Sequence, residues 1–421
     1  MRARPRARSV PFPRLFSIAI RNLGRHARRS ALTGACVAAA AAAVVLFMGF
    51  YRGTYDEMFF GAIIDYQTAH AQIQSAALDP DEPDDWARPA STIAFWELAA
   101  RAARLVPSAT GVAPRLELAC FAGDGIEKMP ALFAGVDFIA EADVSKFTKR
   151  IVRGEAPEGR GQVLVGDSLA ALFSFEPGSS LMVQASTSSG APNIARFVVS
   201  GIFDTGVAGL DASYVAAHLA DAQELADAPG MVNRIYVKLA STEDVEAAMP
   251  ALAAAAALSG AEARPWTSYA REALDHAKTE TVFYYIFLVI LVLMSTSAIA
   301  STMRVAALER VREIGALRAT GWTRADVFCL FAFESGAIGL CGSAAGAALG
   351  GVASALLRAF PIDVSAMAAS IDYPFFSMTS SSRPGDFLLA AIVGVGSALL
   401  AGVAPARKAA RTNIAKALTT H

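Results

Sequence analysis

Four stretches of this sequence are long and apolar enough to cross a lipid bilayer, and they constrain the fold more than any other feature. A membrane-spanning helix needs about 20 consecutive apolar residues. Alanine-rich core helices of a soluble protein are the alternative, but residues 282–303 carry no charge and exceed an ordinary core helix in length. The pattern therefore predicts an α-helical membrane protein with four transmembrane helices. The apolar stretches are residues 31–50, 282–303, 327–357 and 387–406.

The first apolar stretch predicts an uncleaved membrane anchor. The motif "LTGAC", which ends at Cys36, resembles a lipoprotein cleavage box. A cleavage site follows the apolar run of a signal peptide, whereas here the run continues beyond the motif to Phe50. Cleavage remains the alternative hypothesis.

Basic residues are unevenly distributed between the segments that flank the apolar stretches. Residues 1–30 contain nine Arg and no acidic residue, and residues 304–326 contain five Arg and three acidic residues. Residues 51–281 contain 17 basic and 31 acidic residues, which gives a net charge of −14. Because Lys and Arg favour the cytoplasmic side, the distribution predicts the orientation of a multi-pass membrane protein. Both termini should lie in the cytoplasm and residues 51–281 in the periplasm.

These features divide the chain into nine consecutive segments. The segments are a basic amphipathic leader (1–29), a first transmembrane helix (30–50), a periplasmic domain (51–281), a second transmembrane helix (282–303), a cytoplasmic helix and turn (304–326), a third transmembrane helix (327–357), a short periplasmic loop (358–386), a fourth transmembrane helix (387–406) and a cytoplasmic tail (407–421).

The large periplasmic segment is long enough to fold around its own core. Strand-like and helix-like runs alternate along it, which predicts an α/β domain with a mixed sheet. An acidic loop is expected at residues 79–85. The strand-like runs are 69–74, 116–123, 162–166, 180–186, 195–203 and 233–239, and the helix-like runs are 93–105, 168–173, 219–226, 242–258 and 268–281. The last of these should run directly into the second transmembrane helix.

The leader combines an apolar side with a basic side. Leu15 and Leu23 lie among its apolar residues, and Arg21 and Arg25 among its basic ones. Such a helix can lie in the headgroup region with Arg facing anionic lipid. Membrane lipid is therefore an expected partner, and a merely solvated leader is the alternative.

The chain carries no motif typical of a catalytic or metal site. The dipeptide Gly-Lys does not occur, so the Walker A motif of a P-loop ATPase is missing. His70, His218 and His276 have no Cys or acidic neighbours at metal-ligand spacing, and we expect ordinary surface or loop residues. The formal net charge of −1 indicates no nucleic-acid partner. We expect no catalytic residue and no metal.

The stretch "LERVREIGALRATGW", residues 308–322, is a compact charged segment between the second and third apolar stretches. Apolar residues recur at Leu308, Val311, Ile314 and Leu317. This spacing predicts a helix that continues the second transmembrane helix. From spacing alone, a plain connector and a docking site for a partner remain equally open.

The end of this segment carries local signals for a turn. Gly315 within the helix costs about 1 kcal/mol relative to Ala, which indicates close approach of another backbone. Gly321 suits a left-handed helix end. Thr323 and Asp326 predict a reciprocal capping box at the start of the next helix. We expect a helix, a sharp turn and re-entry into the membrane.

The motif "ALERVREIGALRATGW" closely resembles the signature of FtsX-like ABC transporter permeases, also called MacB-type or type VII. The leader "IAIRNLGRHARRSALT" is similar to the N-terminal pattern of that family. The resemblance implies that the segment docks on a cytoplasmic ABC ATPase dimer, which would hold ATP and Mg²⁺, and that this chain is non-catalytic and binds no cofactor. It also implies a second permease, identical or paralogous, and a location in the bacterial inner (cytoplasmic) membrane. The implied ATPase-coupling residues are Leu308, Glu309, Arg312, Glu313, Ile314, Gly315, Leu317, Arg318 and Gly321.

Within this family, the periplasmic segment is most similar to lipoprotein-releasing permeases of the Lol type. The similarity lies in motifs such as "AHAQIQ" (69–74) and "GAPNIARFVVSGIFDTG" (190–206). It implies extraction of lipoproteins from the inner membrane by mechanotransmission and transfer to a periplasmic carrier. A peptide or drug efflux permease with an outer-membrane duct, and a signalling permease for cell-wall hydrolases, are the alternatives.

Two strand-like runs flank residues 187–194 and predict a protruding hairpin. The residues alone indicate an ordinary hairpin, whereas the Lol resemblance implies a hook that contacts the carrier. The implied contact residues are Ser188, Gly190, Pro192, Asn193, Ile194 and Arg196.

The third apolar stretch contains closely spaced glycines and one acid. Gly342, Gly346 and Gly350 recur at every fourth residue, a pattern that permits close helix packing in lipid. An acid inside a membrane span is a candidate functional residue. Glu334 therefore either has a functional role or forms a structural hydrogen bond near the cytoplasmic interface.

Overall fold

The computed structural model describes residues 11–25, 27–76, 78, 92–363 and 377–411. The expected loop at 79–85 lies outside them. The described residues form two compact units. The helical unit contains residues 11–54, 278–362 and 378–411, and the sheet unit contains mainly residues 55–277.

The helices and strands are numbered in chain order. The α-helices are α1 (Phe12–Arg25), α2 (Ala27–Tyr51), α3 (Phe60–Ala62), α4 (Trp96–Arg104), α5 (Phe138–Glu141), α6 (Asp167–Phe173), α7 (Ala208–Ser213), α8 (Leu219–Leu225), α9 (Val245–Ala257), α10 (Arg271–Glu309), α11 (Val311–Ala319), α12 (Arg324–Ala359) and α13 (Pro384–Ala410). The strands are β1 (Ala71–Ser75), β2 (Ala109–Gly123), β3 (Lys128–Val136), β4 (Ile151–Gly154), β5 (Gln162–Gly166), β6 (Ser180–Ser186), β7 (Pro192–Phe203), β8 (Tyr214–His218), β9 (Arg234–Leu239), β10 (Ala261–Pro265), β11 (Ile362–Asp363) and β12 (Ser377–Met378). Two π-helical segments, Arg52–Phe59 and Ile63–Thr68, flank α3.

Four helical stretches are long and apolar enough to cross a membrane. Each stretch overlaps one of the predicted transmembrane segments and extends beyond it. They are Ser30–Thr68, Arg271–Val305, Arg324–Ala359 and Pro384–Lys408. The predicted continuation of the last periplasmic helix into the second transmembrane helix is confirmed, because α10 is continuous from Arg271 to Glu309.

Small residues allow α2 and α12 to approach closely. A Cβ atom on Gly346 would lie 2.7 Å from the Cα of Ala38, and one on Gly350 would lie 2.7 Å from the carbonyl oxygen of Ala42. A Cβ atom on Gly342 would lie 2.8 Å from the carbonyl oxygen of Gly34. Because the clashes involve backbone atoms, larger side chains at these positions would force the helices apart.

The helix α10 packs unevenly along its length. Near its C-terminal end, Ile299 and Met303 are buried against Val37, Ile338 and Ala398. Nearer its start, large apolar side chains are exposed, as expected for a surface that meets lipid or another apolar partner. These side chains are Val282, Phe283, Tyr285, Ile286, Phe287, Val289, Ile290, Leu293 and Met294.

The sheet unit is built on one mixed sheet, which confirms the predicted α/β domain. Its strand order is β10-β1-β9-β2-β3-β8-β5-β7-β4, and β6 pairs with β2 and β7. The pairs β3–β8 and β5–β7 are parallel, and the other pairs are antiparallel. One apolar core contains Phe133, Leu181 and Val199, and a second contains Ile73, Ile235 and Leu252.

Every predicted strand-like run lies on an observed strand, although the bounds differ. Sequence patterns did not predict β3, β4, β8 and β10. The strand β3 contains Pro130 and Gly135, both of which are unfavourable in strands. Its pairing with β2 and β8 stabilises it despite this local preference.

Candidate functional site

The segment from Leu308 to Gly321, here called the coupling segment, contains a break in the helix. The helix α10 ends at Glu309, and Arg310 has φ −100° and ψ 12°, outside the helical conformation. The segment is thus helical as predicted, except for a break at Arg310 that the apolar spacing did not predict. The side chain of Arg310 points inward and reaches a carboxylate on α12.

Two of the local signals at the end of the segment, the left-handed Gly321 and the capping box, are confirmed. Gly321 has φ +105°, a left-handed conformation that glycine adopts without steric cost. The Oγ1 atom of Thr323 accepts a hydrogen bond from the Asp326 backbone amide, and the Asp326 carboxylate accepts one from the Thr323 amide. The chain thus turns sharply from α11 into α12.

The inner side of α11 is anchored to two long helices. Ile314 is buried with Val327 and Phe331 of α12 and with Ala406 of α13. Arg318 Nη1 donates a 2.7 Å hydrogen bond to a backbone carbonyl near the end of α13. A displacement of α11 would therefore act directly on α12 and α13.

The predicted coupling residues divide between two sides of the segment. Leu308, Glu309, Glu313 and Gly321 are exposed, whereas Ile314 and Gly315 are buried. Leu317 and Arg318 are half-buried, and the side chain of Arg312 lies outside the described structure. A partner can reach the exposed residues Glu313 and Ala316 of α11 and Thr320 just after it, but it cannot reach Ile314 or Gly315 directly.

A buried ion pair lies at the base of the coupling segment. Arg310 Nη1 donates to both carboxylate oxygens of Glu334, each at 3.0 Å, and Arg310 Nε donates to Glu313 at 3.0 Å. Asn22 Nδ2 of α1 donates to Glu334 Oε1 at 2.8 Å. Burial would lower the pKa of Arg310, but the carboxylates of Glu334 and Glu313 outweigh it and raise the pKa. These contacts agree with the structural hypothesis for Glu334.

The leader helix α1 packs on α12. Leu15 and Ala19 are buried, and the ring of Phe16 meets that of Phe333 edge-on, with centroids 6.1 Å apart. Its basic side chains Arg21 and Arg25 are exposed. A helix is thus present where the amphipathic leader was predicted, and one of its sides is occupied by α12.

The predicted hairpin between β6 and β7 is present, and its tip is attached to the sheet unit. Gly190 has φ +83° at the turn. The Ser188 amide donates to the carbonyl of Ala226, and Asn193 Nδ2 donates to the carbonyl of Leu225. Ile194 and Arg196, by contrast, are exposed. The tip is therefore held against the end of α8, and the side chains beyond it are available to a partner.

A charge network that the sequence did not predict lies inside the sheet unit. Arg115 forms ion pairs with Glu117 at 3.2 Å and Glu141 at 2.5 Å, and all three side chains are almost completely buried. Arg234 lies 3.2 Å from Glu117 and donates to Gln72 at 2.7 Å. A cavity of about 420 Å³ opens over part of this network. The charges at its base neutralise one another, as expected of a structural network.

His70 lies in the loop that precedes β1, as predicted for a surface or loop histidine, but it is buried. Its Nδ1 accepts a hydrogen bond from the Leu239 amide at 3.1 Å. Burial and nearby Lys238 lower the pKa of His70 to about 4. Among the described residues, no group of His, Cys, Asp and Glu could hold a metal ion.

Family models match both units of the chain. The MacB-like periplasmic core domain matches residues 30–255. The FtsX-like permease C-terminal region matches residues 285–414, which include the coupling segment. The chain belongs to the MacB-type, or type VII, ABC transporter permeases. The family resemblance and the predicted fold class are thereby confirmed, with four apolar helices and a periplasmic α/β domain between the first and the second.

Three relatives illustrate what this permease is similar to. The lipoprotein-releasing system transmembrane protein LolC of Neisseria meningitidis serogroup B is 24% identical over 274 residues, which cover 62% of this chain and 65% of LolC. LolC of Xylella fastidiosa (strain Temecula1) is 24% identical over 340 residues, covering 77% of this chain and 81% of that protein. The macrolide export ATP-binding/permease protein MacB of Brucella abortus is 33% identical over 154 residues, covering 37% of this chain and 21% of MacB. The permease thus spans slightly less than two thirds of the Neisseria protein.

Proposed function

We propose that this permease is the non-catalytic membrane subunit of an inner-membrane complex that extracts lipoproteins and passes them to a periplasmic carrier. Its partners would be a cytoplasmic ABC ATPase dimer and a second permease, identical or paralogous. ATP and Mg²⁺ would be held by the ATPase, and this chain would bind no cofactor. The similarity to two LolC proteins supports the cargo. The distribution of basic residues supports cytoplasmic termini.

The coupling segment is the observation that carries this proposal. Its helix α11 exposes Glu313 and Ala316 on one side and buries Ile314 against α12 and α13 on the other. A partner that presses on the exposed side would move two long apolar helices together. The segment is therefore suited to receive force from an ATPase and transmit it to membrane helices.

Lipoprotein extraction also explains a need for ATP. Each buried acyl CH₂ contributes about 0.8 kcal/mol to membrane anchoring. Several acyl chains therefore hold a lipoprotein too firmly for release without an energy source. Mechanical transmission through helices would deliver that energy without opening a polar pore.

Variants on the exposed side of α11 test the coupling. Ala316→Arg and Glu313→Arg should each reduce cargo-stimulated ATP hydrolysis of the reconstituted complex at least tenfold, because both alter the surface offered to the ATPase. Ala325→Arg is the matched control, since Ala325 is also exposed but lies on α12 beyond the segment. Full stimulation in both α11 variants would contradict the docking assignment.

The similarity to MacB supports a second candidate function, export through an outer-membrane duct. Binding at the β6–β7 hairpin distinguishes the two. Ile194→Asp combined with Arg196→Glu changes exposed side chains and keeps the bonds of Ser188 and Asn193. We expect at least tenfold weaker capture of a periplasmic lipoprotein carrier, and no change for the control Val152→Asp on β4. Unchanged carrier capture with loss of a duct-forming adaptor would favour export.

A further inference from the structure

Three separate elements of the helical unit meet at the carboxylate of Glu334. Asn22 of α1 and Arg310 of the coupling segment both donate hydrogen bonds to its Oε1 atom, at 2.8 Å and 3.0 Å. Glu334 itself belongs to α12. The contacts link residues separated by 312 and 24 positions in the chain. One side chain therefore fixes the relative positions of the leader helix, α12 and the coupling segment.

Arg310 occupies the point where the direction of the chain changes. It is the residue between α10 and α11 that leaves the helical conformation. Its guanidinium group is buried, lies 5.8 Å from the ring centroid of Phe331 and is held by both oxygens of Glu334. The angle between α10 and α11 cannot change freely while these bonds remain, because the guanidinium would have to move with the backbone.

The second acid bonded to Arg310 lies on the partner-facing side of α11. Glu313 accepts from Arg310 Nε at 3.0 Å, yet its side chain is 52% exposed. The Arg310 guanidinium thus bridges an exposed carboxylate and a buried one. A basic group of a partner that approaches Glu313 would compete for the exposed carboxylate and leave Arg310 bonded to Glu334.

We propose that Arg310 is a positioning residue that links engagement of Glu313 by the partner to the placement of α1 and α12 through Glu334. The proposal rests on the proposed coupling to an ATPase and names the side chains that perform it. When Glu313 releases Arg310, the backbone at Arg310 can change its angle. The bond between Arg310 and Glu334 then transmits this movement to α12. The bond between Asn22 and Glu334 transmits it to the leader helix. Contact at the surface is thereby converted into a movement of helices that the partner does not touch.

The test uses the full-length permease reconstituted with its ATPase in vesicles. Arg310→Gln should copurify with the ATPase at the wild-type ratio, because the buried side chain does not form the docking surface. Its cargo-stimulated ATP hydrolysis should fall at least tenfold. Arg310→Lys keeps the charge but not the paired hydrogen bonds, so an intermediate loss is expected. The exchange of Arg310→Glu with Glu334→Arg keeps opposite charges facing each other but loses the bond to Glu313 and places two carboxylates side by side, so stimulation should stay low. Restoration to the wild-type level would contradict the link through Glu313.

Arg52→Gln provides a matched control. Arg52 forms a two-bond ion pair with Asp386, which also joins separate parts of the helical unit. We expect this variant to be less stable but normally stimulated. Wild-type stimulation in Arg310→Gln, or equal loss in Arg310→Gln and Arg52→Gln, would overturn the inference and leave the proposed function intact. A wild-type permease that binds no ATPase would overturn both.

Discussion

The two buried charge networks of this permease differ in what they connect. The network of the sheet unit joins Arg115, Glu117, Glu141 and Arg234, which belong to strands and a short helix of one folded unit. Its side chains are no more than 4% exposed. We call this network closed because all its charged members belong to one folded unit, although Glu117 and Arg234 also line the cavity of about 420 Å³.

The network of the helical unit is open on one side. Arg310 and Glu334 are buried, but Glu313, which shares the same guanidinium, is half-exposed. Glu313 lies on α11, Glu334 lies on α12, and Arg310 lies between α10 and α11. The difference teaches that burial of an ion pair does not by itself indicate its role. A closed network stabilises one unit, whereas an open one can transmit an external contact.

The largest expected effect follows from breaking the closed network. Glu141→Ala removes the carboxylate that binds two nitrogens of Arg115. An incompletely paired buried charge destabilises a protein by about 3–5 kcal/mol, so the sheet unit should unfold at much lower urea concentration. Hydrogen exchange at β2 and β9 measures this locally.

Arg153→Ala is the control for that variant. Arg153 pairs with Asp167 at 2.7 Å, but both side chains are about half exposed. Such a pair contributes about 0–1 kcal/mol. Equal destabilisation by the two variants would contradict the distinction between closed and exposed pairs.

A smaller effect is expected from pH, and it distinguishes two buried groups of the sheet unit. The pKa of His70 is lowered from 6.5 to about 4 by burial and Lys238. Its contribution to stability is therefore complete above pH 6.5 and is lost as pH falls through 4. The pKa of Asp211 is raised from 3.8 to about 6 by burial. Its contribution is complete below pH 3.8 and is lost as pH rises through 6.

The two groups should thus oppose each other between pH 4 and 6. Relative to wild type, His70→Asn should gain stability on acidification and Asp211→Asn should lose it, each by about 3 kcal/mol. Urea unfolding at pH 4.5, 5.5 and 7 would show the two differences. Shifts of the same sign in both variants would refute the assigned protonation states.

The smallest expected effect on stability comes from replacing charges in pairs. Arg115→Met with Glu141→Leu removes a buried ion pair together with its desolvation cost, and such replacements are often neutral. Glu117 keeps Arg234 and Tyr236 as partners. We expect folding and cargo release close to wild type. Arg310→Met with Glu334→Leu should also fold but lose cargo-stimulated ATP hydrolysis. Wild-type stimulation in this double variant would show that the two networks do not differ in function.

Local signals in the sequence predicted part of the coupling segment. Gly321, Thr323 and Asp326 act through neighbours within three residues, so their pattern is sufficient to predict the turn and the capping box. The long apolar stretches likewise predicted the membrane helices, because length and composition alone decide that property.

Interactions between distant residues could not be predicted in the same way. Arg115 and Glu141 are 26 positions apart, and Arg310 and Glu334 are 24 apart. In a sequence, each resembles an ordinary surface or interfacial charge. The apolar spacing predicted the helices on both sides of Arg310 but not the break at Arg310 itself, whose side chain reaches Glu334 on another helix. The burial of His70 was not predicted for a related reason, because its partners Leu239 and Thr242 belong to a remote part of the chain.

The unbroken helix α10 has a consequence for how this permease can change over evolutionary time. It contains 39 residues, and each residue advances an α-helix by about 1.5 Å and turns it by about 100°. One inserted residue between Ile299 and Glu309 would therefore rotate Arg310 away from Glu334. An insertion at the exposed turn between β2 and β3 would rotate nothing. Substitutions can accumulate along α10, but we expect its length to be conserved among permeases that keep this ion pair, while surface turns vary in length.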